Sequence, residues 1–183
     1  MTLSVLDLFL LSMLDRGAQS PYELQRIAGV SQGAAVPSLR RLLAAKLVTR
    51  KDGIASTNRP RHAYTLTPAG KQAARAGWKA YFQESSTGID LDSLLRIVDM
   101  AFHYRAEKKT IKSFLKQAAE ARVLMAEKAS LAEKGVASTD RASYLRMRAS
   151  CDASRLRAEG EALLRLAAPF GSKRAVDGQQ SLL

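Results

Sequence analysis

The first 70 residues contain an ordered series of helix-start and helix-stop signals, which constrains the fold more than any other feature of the chain. Ser20-Pro21 combines a capping side chain with proline at the first helical position, and Gly29 is a typical helix end. Ser31 then starts another helix. The spacing predicts a helix-turn-helix, which an apolar helix ending near Asp15 precedes. The middle helix is predicted to bury Leu24, Ile27 and Ala28.

Two short β-prone segments follow the third helix. They are Leu47–Arg50 and Ala63–Leu66, and the stretch between them is polar, turn-rich and basic. Thr67-Pro68 then starts a fourth helix. Helix, turn, helix and a two-stranded hairpin, in this order, predict a winged helix-turn-helix domain.

The rest of the chain is nearly all helical in pattern. Apolar residues recur at helical spacing in residues 91–102, 111–125 and 145–166, in long segments with a narrow leucine and alanine stripe. Such helices usually pack on a partner copy. The sequence therefore predicts a mainly α fold with a small β-hairpin wing: a winged helix-turn-helix domain at 1–83, a helical dimerisation domain at 84–170 and a flexible tail at 171–183.

The charge balance predicts a polyanionic partner. The chain has 29 Lys+Arg and 17 Asp+Glu, a formal net charge of +12, and residues 1–83 hold 12 of the basic and 4 of the acidic side chains. Nucleic acid or an anionic membrane would suit this charge. No helix pairs a basic face with a bulky aromatic one, which argues against the membrane. The apolar run Leu3–Leu14 is too short to span a bilayer and lacks the features of a signal peptide, so we expect a cytoplasmic protein.

The inventory of chemical groups does not predict an enzyme. There is no glycine-rich phosphate loop, no histidine pair with an acid at ligand spacing and no nucleophile–base set, so we expect no cofactor and no metal. Cys151 is alone, which excludes an internal disulfide, and it is predicted to be a small buried core residue rather than a redox switch. His103 is predicted to lie at the surface or an interface.

DNA binding requires phosphate neutralisation and contacts to base edges. Glutamine can bond adenine with two hydrogen bonds, and helix N-terminal amides suit a phosphate. Gln32 and Ser38 are predicted to lie opposite the apolar face of the third helix. Only one of the adjacent Arg40 and Arg41 can point to DNA, and the other is expected either to pair with an acid or to extend along the surface with its charge in water. The candidates are Ser31, Gln32, Gly33, Ser38, Arg40 and Arg41 on the third helix, and Lys51, Arg59, Arg61 and His62 on the wing; the alternative for each is a solvated surface.

Aromatic and sulfur-containing residues cluster on both sides of the predicted domain junction. They are Trp78, Tyr81 and Phe82 on one side and Met100 and Phe102 on the other. A domain-joining core is the favoured interpretation. A pocket for a flat, apolar or aromatic effector is the alternative.

Three ordered motifs resemble those of the PadR-like transcriptional regulators and together cover roughly the first 80 residues. The resemblance implies a dimeric winged-helix repressor whose DNA binding is relieved by a ligand or stress signal. Ala34 and Val36 stand where the family usually has Thr and Tyr, which moves the expected base reading to Gln32, Ser38 and the backbone. The motifs are Ser20-Pro21-Tyr22-Glu23-Leu24, the run from Ser31 to Leu42 and the run from Arg59 to Gly70.

The sequence thus predicts a homodimeric transcriptional regulator that represses a promoter by occupying a pseudo-palindromic site, in a prokaryotic cytoplasm and associated with the nucleoid. Its expected partners are double-stranded DNA, a second copy and, if one exists, a small effector. The rival is a winged-helix protein-interaction module that works through the long C-terminal helices. A third alternative is an architectural DNA binder without an effector or sequence preference. Salt-dependent retention on heparin or random duplex separates the DNA binders from the interaction module.

Overall fold

The computed structural model describes residues 3–54, 60–82, 88–135 and 143–170. These contain mainly helices and one two-stranded antiparallel sheet, which confirms the predicted fold class. Two short 3-10 turns, Gly77–Phe82 and Ala168–Phe170, follow the fourth and seventh helices. The main elements are α1 Val5–Asp15, α2 Pro21–Ala28, α3 Gln32–Ala44, β1 Val48–Ile54, β2 Pro60–Leu66, α4 Pro68–Ala76, α5 Leu91–His103, α6 Lys108–Gly135 and α7 Ser143–Ala167.

Hydroxyl side chains cap the helices of the first half. Ser20, Ser31 and Thr67 each accept a hydrogen bond from the backbone N–H three residues later, at the starts of α2, α3 and α4, as predicted. At α1, Ser4 accepts from the Asp7 N–H while the Asp7 side chain accepts from the Ser4 N–H, which forms a capping box. These caps place the turn between α2 and α3 where the sequence predicts it.

Part of the core of the first compact unit, Met1–Arg105, lies between α1, α2 and α3. Leu10 and Leu11 of α1, Leu24 of α2 and Leu39 of α3 have no exposed surface. The prediction that Ile27 is a core residue is wrong, because its side chain is 57% exposed. A helix of only eight residues buries one narrow stripe, and in α2 this stripe passes through Leu24.

The hairpin is longer than predicted, because both strands extend toward the turn. β1 and β2 pair from Val48 with Leu66 to Ile54 with Pro60. Arg61 therefore lies in β2 opposite Gly53, and not in the hairpin tip where the sequence pattern places it. The predicted wing residue Arg59 lies outside the described residues.

The base of the hairpin is anchored to the end of α3. Lys46 has a left-handed backbone (φ 57°) that ends the helix. The N–H of Thr67 donates to the Leu47 carbonyl at 3.0 Å, and its hydroxyl donates to the Lys46 carbonyl at 2.9 Å. Gly70 of α4 packs so closely that a Cβ there would lie 1.9 Å from the same Leu47 oxygen.

Helix α5 packs on α1. Leu94, Ile97 and Met100 of α5 are fully buried, and Arg16 is paired with Asp99 at 2.6 Å. The contacts therefore place α5 in a compact unit that spans Met1–Arg105. The sequence pattern assigns this helix to the second domain, since an amphipathic helix does not show which apolar face it meets. The functional boundary after residue 83 stays a prediction.

The second unit, Ala106–Leu183, is built in its described part by α6 and α7, which pack along each other. Gly160 allows a close approach, since a Cβ there would lie 3.3 Å from the Ala119 carbonyl oxygen. Arg122 is buried and its Nε donates to Glu159 at 2.8 Å. The prediction that Cys151 is buried is wrong: it is exposed, because the buried stripe of α7 passes through Ala153 and later residues.

Candidate nucleic-acid interface

One face of α3 is open to solvent and carries no acidic residue. Gly33, Pro37, Arg40 and Ala44 are exposed, and their spacing of four, three and four residues aligns them along the helix. The helix continues through Pro37, although proline cannot donate the hydrogen bond that a helix would make to the Gly33 carbonyl. The missing hydrogen bond is tolerated where water can reach the backbone. Apart from Arg40, this face carries only small side chains.

The N-terminal turn of α3 has the properties of an anion-binding helix end. Ser31 and Gln32 are exposed, the Ser31 hydroxyl accepts from the Ala34 N–H at 3.3 Å, and the first turn has no acid. Outside the helix itself, a Cβ at Gly33 would meet nothing closer than the Ser31 hydroxyl oxygen at 4.0 Å. A phosphate or a base edge can therefore approach the first backbone amides closely, at the positive end of the helix dipole.

Ser38 and Arg41 do not belong to this open face. Ser38 has no exposed surface, and its hydroxyl donates to the carboxylate of Asp7 in α1. Arg41 is paired with the same carboxylate at 2.8 Å. The expectation that Ser38 faces DNA is therefore wrong, because Ser38 lies on the stripe of α3 that packs against α1. Ser38 follows the buried Ala35 by three residues and precedes the buried Leu42 by four. This spacing puts the three residues on one face of the helix, and it is the sequence signal for the burial of Ser38.

The carboxylate of Asp7 is buried and ionised. Burial raises its pKa, but hydrogen bonds from Ser38, Arg41 and Ser4 lower it by more, so that the pKa lies below the usual 3.8. The acid partner expected from the sequence for one of the two arginines is thus Asp7, and it holds Arg41. Arg40 is exposed and has no ion pair with the described residues. Of the two adjacent arginines, Arg40 is therefore the one whose charge is not neutralised by a described residue.

The described part of the wing combines a free lysine with a neutralised acid. Lys51 of β1 is exposed. Asp52 accepts from His62 across the hairpin at 2.7 Å and pairs with Arg50 at 3.0 Å. The hydrogen bond from His62 is the largest cause that lowers the pKa of Asp52, followed by desolvation, which raises it, and the charge of Arg50, which lowers it. Arg50 is a basic wing residue that the sequence pattern did not single out; its position two residues before Asp52 on one strand face is the available signal.

Each acidic residue of the first 83 is engaged by a partner. Asp7 and Asp52 are paired as above, Asp15 lies 3.8 Å from Arg75, and Glu23 accepts from the Gln19 N–H at 2.6 Å. The surplus positive charge is therefore left on exposed side chains that have no ion pair within the described residues: Arg26, Arg40, Lys46, Lys51, Lys71 and Lys79.

The aromatic cluster is partly a packed core. Trp78 is 5% exposed, meets the Phe82 ring edge-on at 5.3 Å and donates from its ring nitrogen to the Arg75 carbonyl. Met100 is fully buried, and the Tyr81 hydroxyl donates to the Leu3 carbonyl at 3.0 Å. Phe102 is 62% exposed and lies apart from Met100, because residues two positions apart on a helix point in different directions. An effector site here stays a prediction.

The described part of the chain contains neither a membrane-spanning helix nor a cluster of metal ligands. No helix in it combines the length and the apolar character that crossing a membrane requires. The same residues include no group of three or more histidine, cysteine, aspartate or glutamate side chains that could hold a metal ion.

No protein-family model matches the chain, and no curated protein matches it. Among solved structures, the chain is similar to a crystal structure of Bacillus subtilis PadR in complex with operator DNA, with 17% sequence identity and a TM-score of 0.41. The match covers 90% of this chain and 99% of that one. The residues described above, and not this likeness, carry the functional proposal.

Proposed function

We propose that this chain binds double-stranded DNA, with α3 in the major groove and the hairpin along the flanking backbone. The observation that carries the proposal is the open face of α3, which presents Gln32, Gly33 and Arg40 on a helix without acidic residues while Asp7 neutralises Arg41. Gln32 reads a base edge, the first amides of α3 bind a phosphate, and Arg40 reaches a phosphate on the groove wall.

The wing supplies contacts to the backbone. Lys51 is an exposed cation that has no ion pair with the described residues, and His62 and Arg50 cancel the charge of Asp52, the one acid in the sequence of the wing. Arg59 and Arg61, predicted from the sequence, extend this basic character. The wing contributes affinity that depends on salt and little on sequence.

The test is a salt titration of binding to random duplex DNA with the full-length protein. Arg40→Ala should flatten the plot of log affinity against log salt by about 0.9 for each phosphate that the variant no longer neutralises. Arg75→Ala is the matched control: Arg75 is also an exposed helical arginine, but it lies on α4 and its long ion pair to Asp15 adds little stability. Equal slopes for the two variants, or no salt dependence in the unaltered protein, would contradict the proposal.

We further propose that the chain acts as a homodimer through α6 and α7. Val123 and Leu124 of α6 and Leu164 of α7 are about half exposed and line an open apolar groove of about 330 Å³. Leu131 lies two helical turns after Leu124 and is 67% exposed, so that the groove continues into an apolar seam. A second copy presents the same surface and covers it by a two-fold axis.

Sedimentation of the full-length protein at micromolar concentration tests the dimer. Leu124→Asp combined with Leu131→Asp should give a monomer, because two carboxylates would then be buried at the seam. Ile27→Asp, a change at a similarly exposed residue of the first unit, should leave the dimer intact. A full-length protein that sediments as a monomer would contradict this part of the proposal.

A dimer carries two copies of α3, and two copies suit a pseudo-palindromic site with half-sites about one helical turn apart. We propose that occupation of such a site in a promoter represses transcription, since polymerase is excluded from the same DNA. If a flat apolar effector releases the protein, the buried Trp78 should report its binding by a change in fluorescence. A ligand that releases DNA without changing this fluorescence would place the effector site elsewhere.

A protein-interaction module is the second candidate function. Tyr144, Leu145 and Met147 at the start of α7 are each more than half exposed, and such a surface suits a partner protein. This function does not require binding to DNA. Capture of a partner protein through this surface, without any salt-dependent retention on duplex, would favour it.

A further inference from the structure

One hydrogen bond between side chains joins the two helices at the open face. The amide nitrogen of Gln32, on α3, donates to the amide oxygen of Gln25, on α2, at 3.1 Å, and both side chains are exposed. We infer that Gln25 is a positioning residue that fixes the amide of Gln32 for reading adenine. The inference rests on the proposed DNA-binding function and names a base for one contact in it.

The chemistry of the amide leads to the choice of base. A glutamine amide has two N–H donors and a carbonyl oxygen that accepts. Because one N–H of Gln32 is used by Gln25, the second N–H and the carbonyl oxygen stay at the open end of the side chain. Adenine presents N7 as an acceptor and its N6 amino group as a donor in the major groove, whereas guanine presents two acceptors. The Gln32 amide, fixed by Gln25, therefore complements adenine. Opposite guanine, the amide oxygen of Gln32 would face a second acceptor, which is unfavourable.

The surroundings of Gln32 leave Gln25 as its hydrogen-bonding neighbour among the described residues. Gly33 has no side chain, and the Ser31 hydroxyl already accepts from the Ala34 N–H. Without Gln25 the Gln32 side chain would rotate freely, and ordering such a side chain at an interface weakens binding by roughly 2- to 12-fold. Because the hydrogen bond from Gln32 to Gln25 already orders the Gln32 side chain in the free protein, less conformational entropy is lost when DNA binds.

The experiment begins by enriching a binding site from a pool of random duplexes with the full-length protein. At each enriched adenine, purine then removes the N6 amino group and 7-deazaadenine removes the N7 acceptor. One adenine per half-site should respond to both replacements in the unaltered protein, with a total reduction in affinity of about 5- to 150-fold for the pair of hydrogen bonds. Gln32→Ala should bind the three duplexes equally.

Two substitutions of Gln25 test whether it positions Gln32 through the hydrogen bond or only packs beside it. Both replace glutamine by a side chain of nearly equal length and helix propensity. Gln25→Met removes the acceptor and should reduce discrimination against the modified duplexes by roughly 2- to 12-fold, with random-duplex affinity nearly unchanged. Gln25→Glu keeps an oxygen that accepts from Gln32. It should retain the discrimination while its added negative charge weakens binding to all duplexes alike.

The outcomes separate this inference from the function on which it rests. If Gln25→Met discriminates as well as the unaltered protein, or if no enriched adenine depends on Gln32, the positioning role is refuted while DNA binding stands. If the unaltered protein shows no salt-dependent binding to any duplex, the proposed function and the inference both fail. Rescue of discrimination by Gln25→Glu but not by Gln25→Met is the result we expect.

Discussion

At the scale of single residues, the contacts of Ser38 separate stability from recognition. Its buried hydroxyl donates a hydrogen bond to Asp7, so in Ser38→Ala the buried Asp7 carboxylate loses one hydrogen-bond donor. We expect a decrease of about 1–3 kcal/mol in unfolding free energy. Urea denaturation measures this. The base preference of the protein should not change, and a shifted preference with unchanged stability would mean that Ser38 faces DNA after all.

The low pKa of Asp7 makes its contribution to stability depend on pH. Because the folded pKa lies below the unfolded value of 3.8, the contribution is full above pH 3.8 and disappears as pH falls through the folded pKa. Asp7→Asn should therefore be less stable than the unaltered protein at pH 6, and the gap should narrow below about pH 4. Denaturation midpoints between pH 6 and pH 2.5 measure the gap, and a gap independent of pH would contradict the assignment.

At the scale of elements, the packing of α4 on the hairpin base depends on Gly70. A Cβ there would overlap the Leu47 carbonyl, which is backbone and cannot rotate away. Gly70→Ala should cost about 3 kcal/mol or more. Gly33→Ala, a matched change in open space on α3, should be neutral or stabilise by up to about 1 kcal/mol. Thermal unfolding compares the two, and equal effects would argue against close packing at Gly70.

The wing and α3 are expected to do separable work. Lys51→Ala and Arg61→Ala should weaken binding to an enriched site and to random duplex equally, and each should flatten the salt dependence by about one unit. Gln32→Ala should cost about 1–3 kcal/mol on the enriched site and little on random duplex. Salt titrations on both DNAs decide between these roles. If the wing variants change discrimination instead, the assignment is reversed.

Local signals predicted the elements well, and tertiary contacts account for what they missed. Caps such as Ser31 and Thr67 act within one helical turn, so the sequence alone locates the helix starts. The burial of Ser38 depends on an acid 31 positions away in the sequence. Periodicity shows that a face is apolar but not what covers it. The same limit explains the misplacement of Ile27 and Cys151.

At the scale of the whole molecule, the affinity for DNA should depend on the association of two chains. A dimer that engages both half-sites binds the second one at high effective concentration, typically worth a factor of 10² to 10⁴. The Leu124→Asp, Leu131→Asp double variant should bind a full site more weakly by this factor and keep the affinity for an isolated half-site. Titrations on the two duplexes measure the difference, and an equal reduction on both would point to damage elsewhere.

The shared anchor at Leu47 has a consequence for the DNA. The end of α3, the hairpin and α4 meet at this one carbonyl, so the described structure shows a direct connection between the part that would enter the groove and the part that would follow the backbone. Because this connection is rigid, the DNA has to bend or twist for both parts to make contact. We therefore expect a sequence preference at base pairs that no side chain contacts. Flexible TA and CA steps should be favoured between the two contacts, because they deform easily.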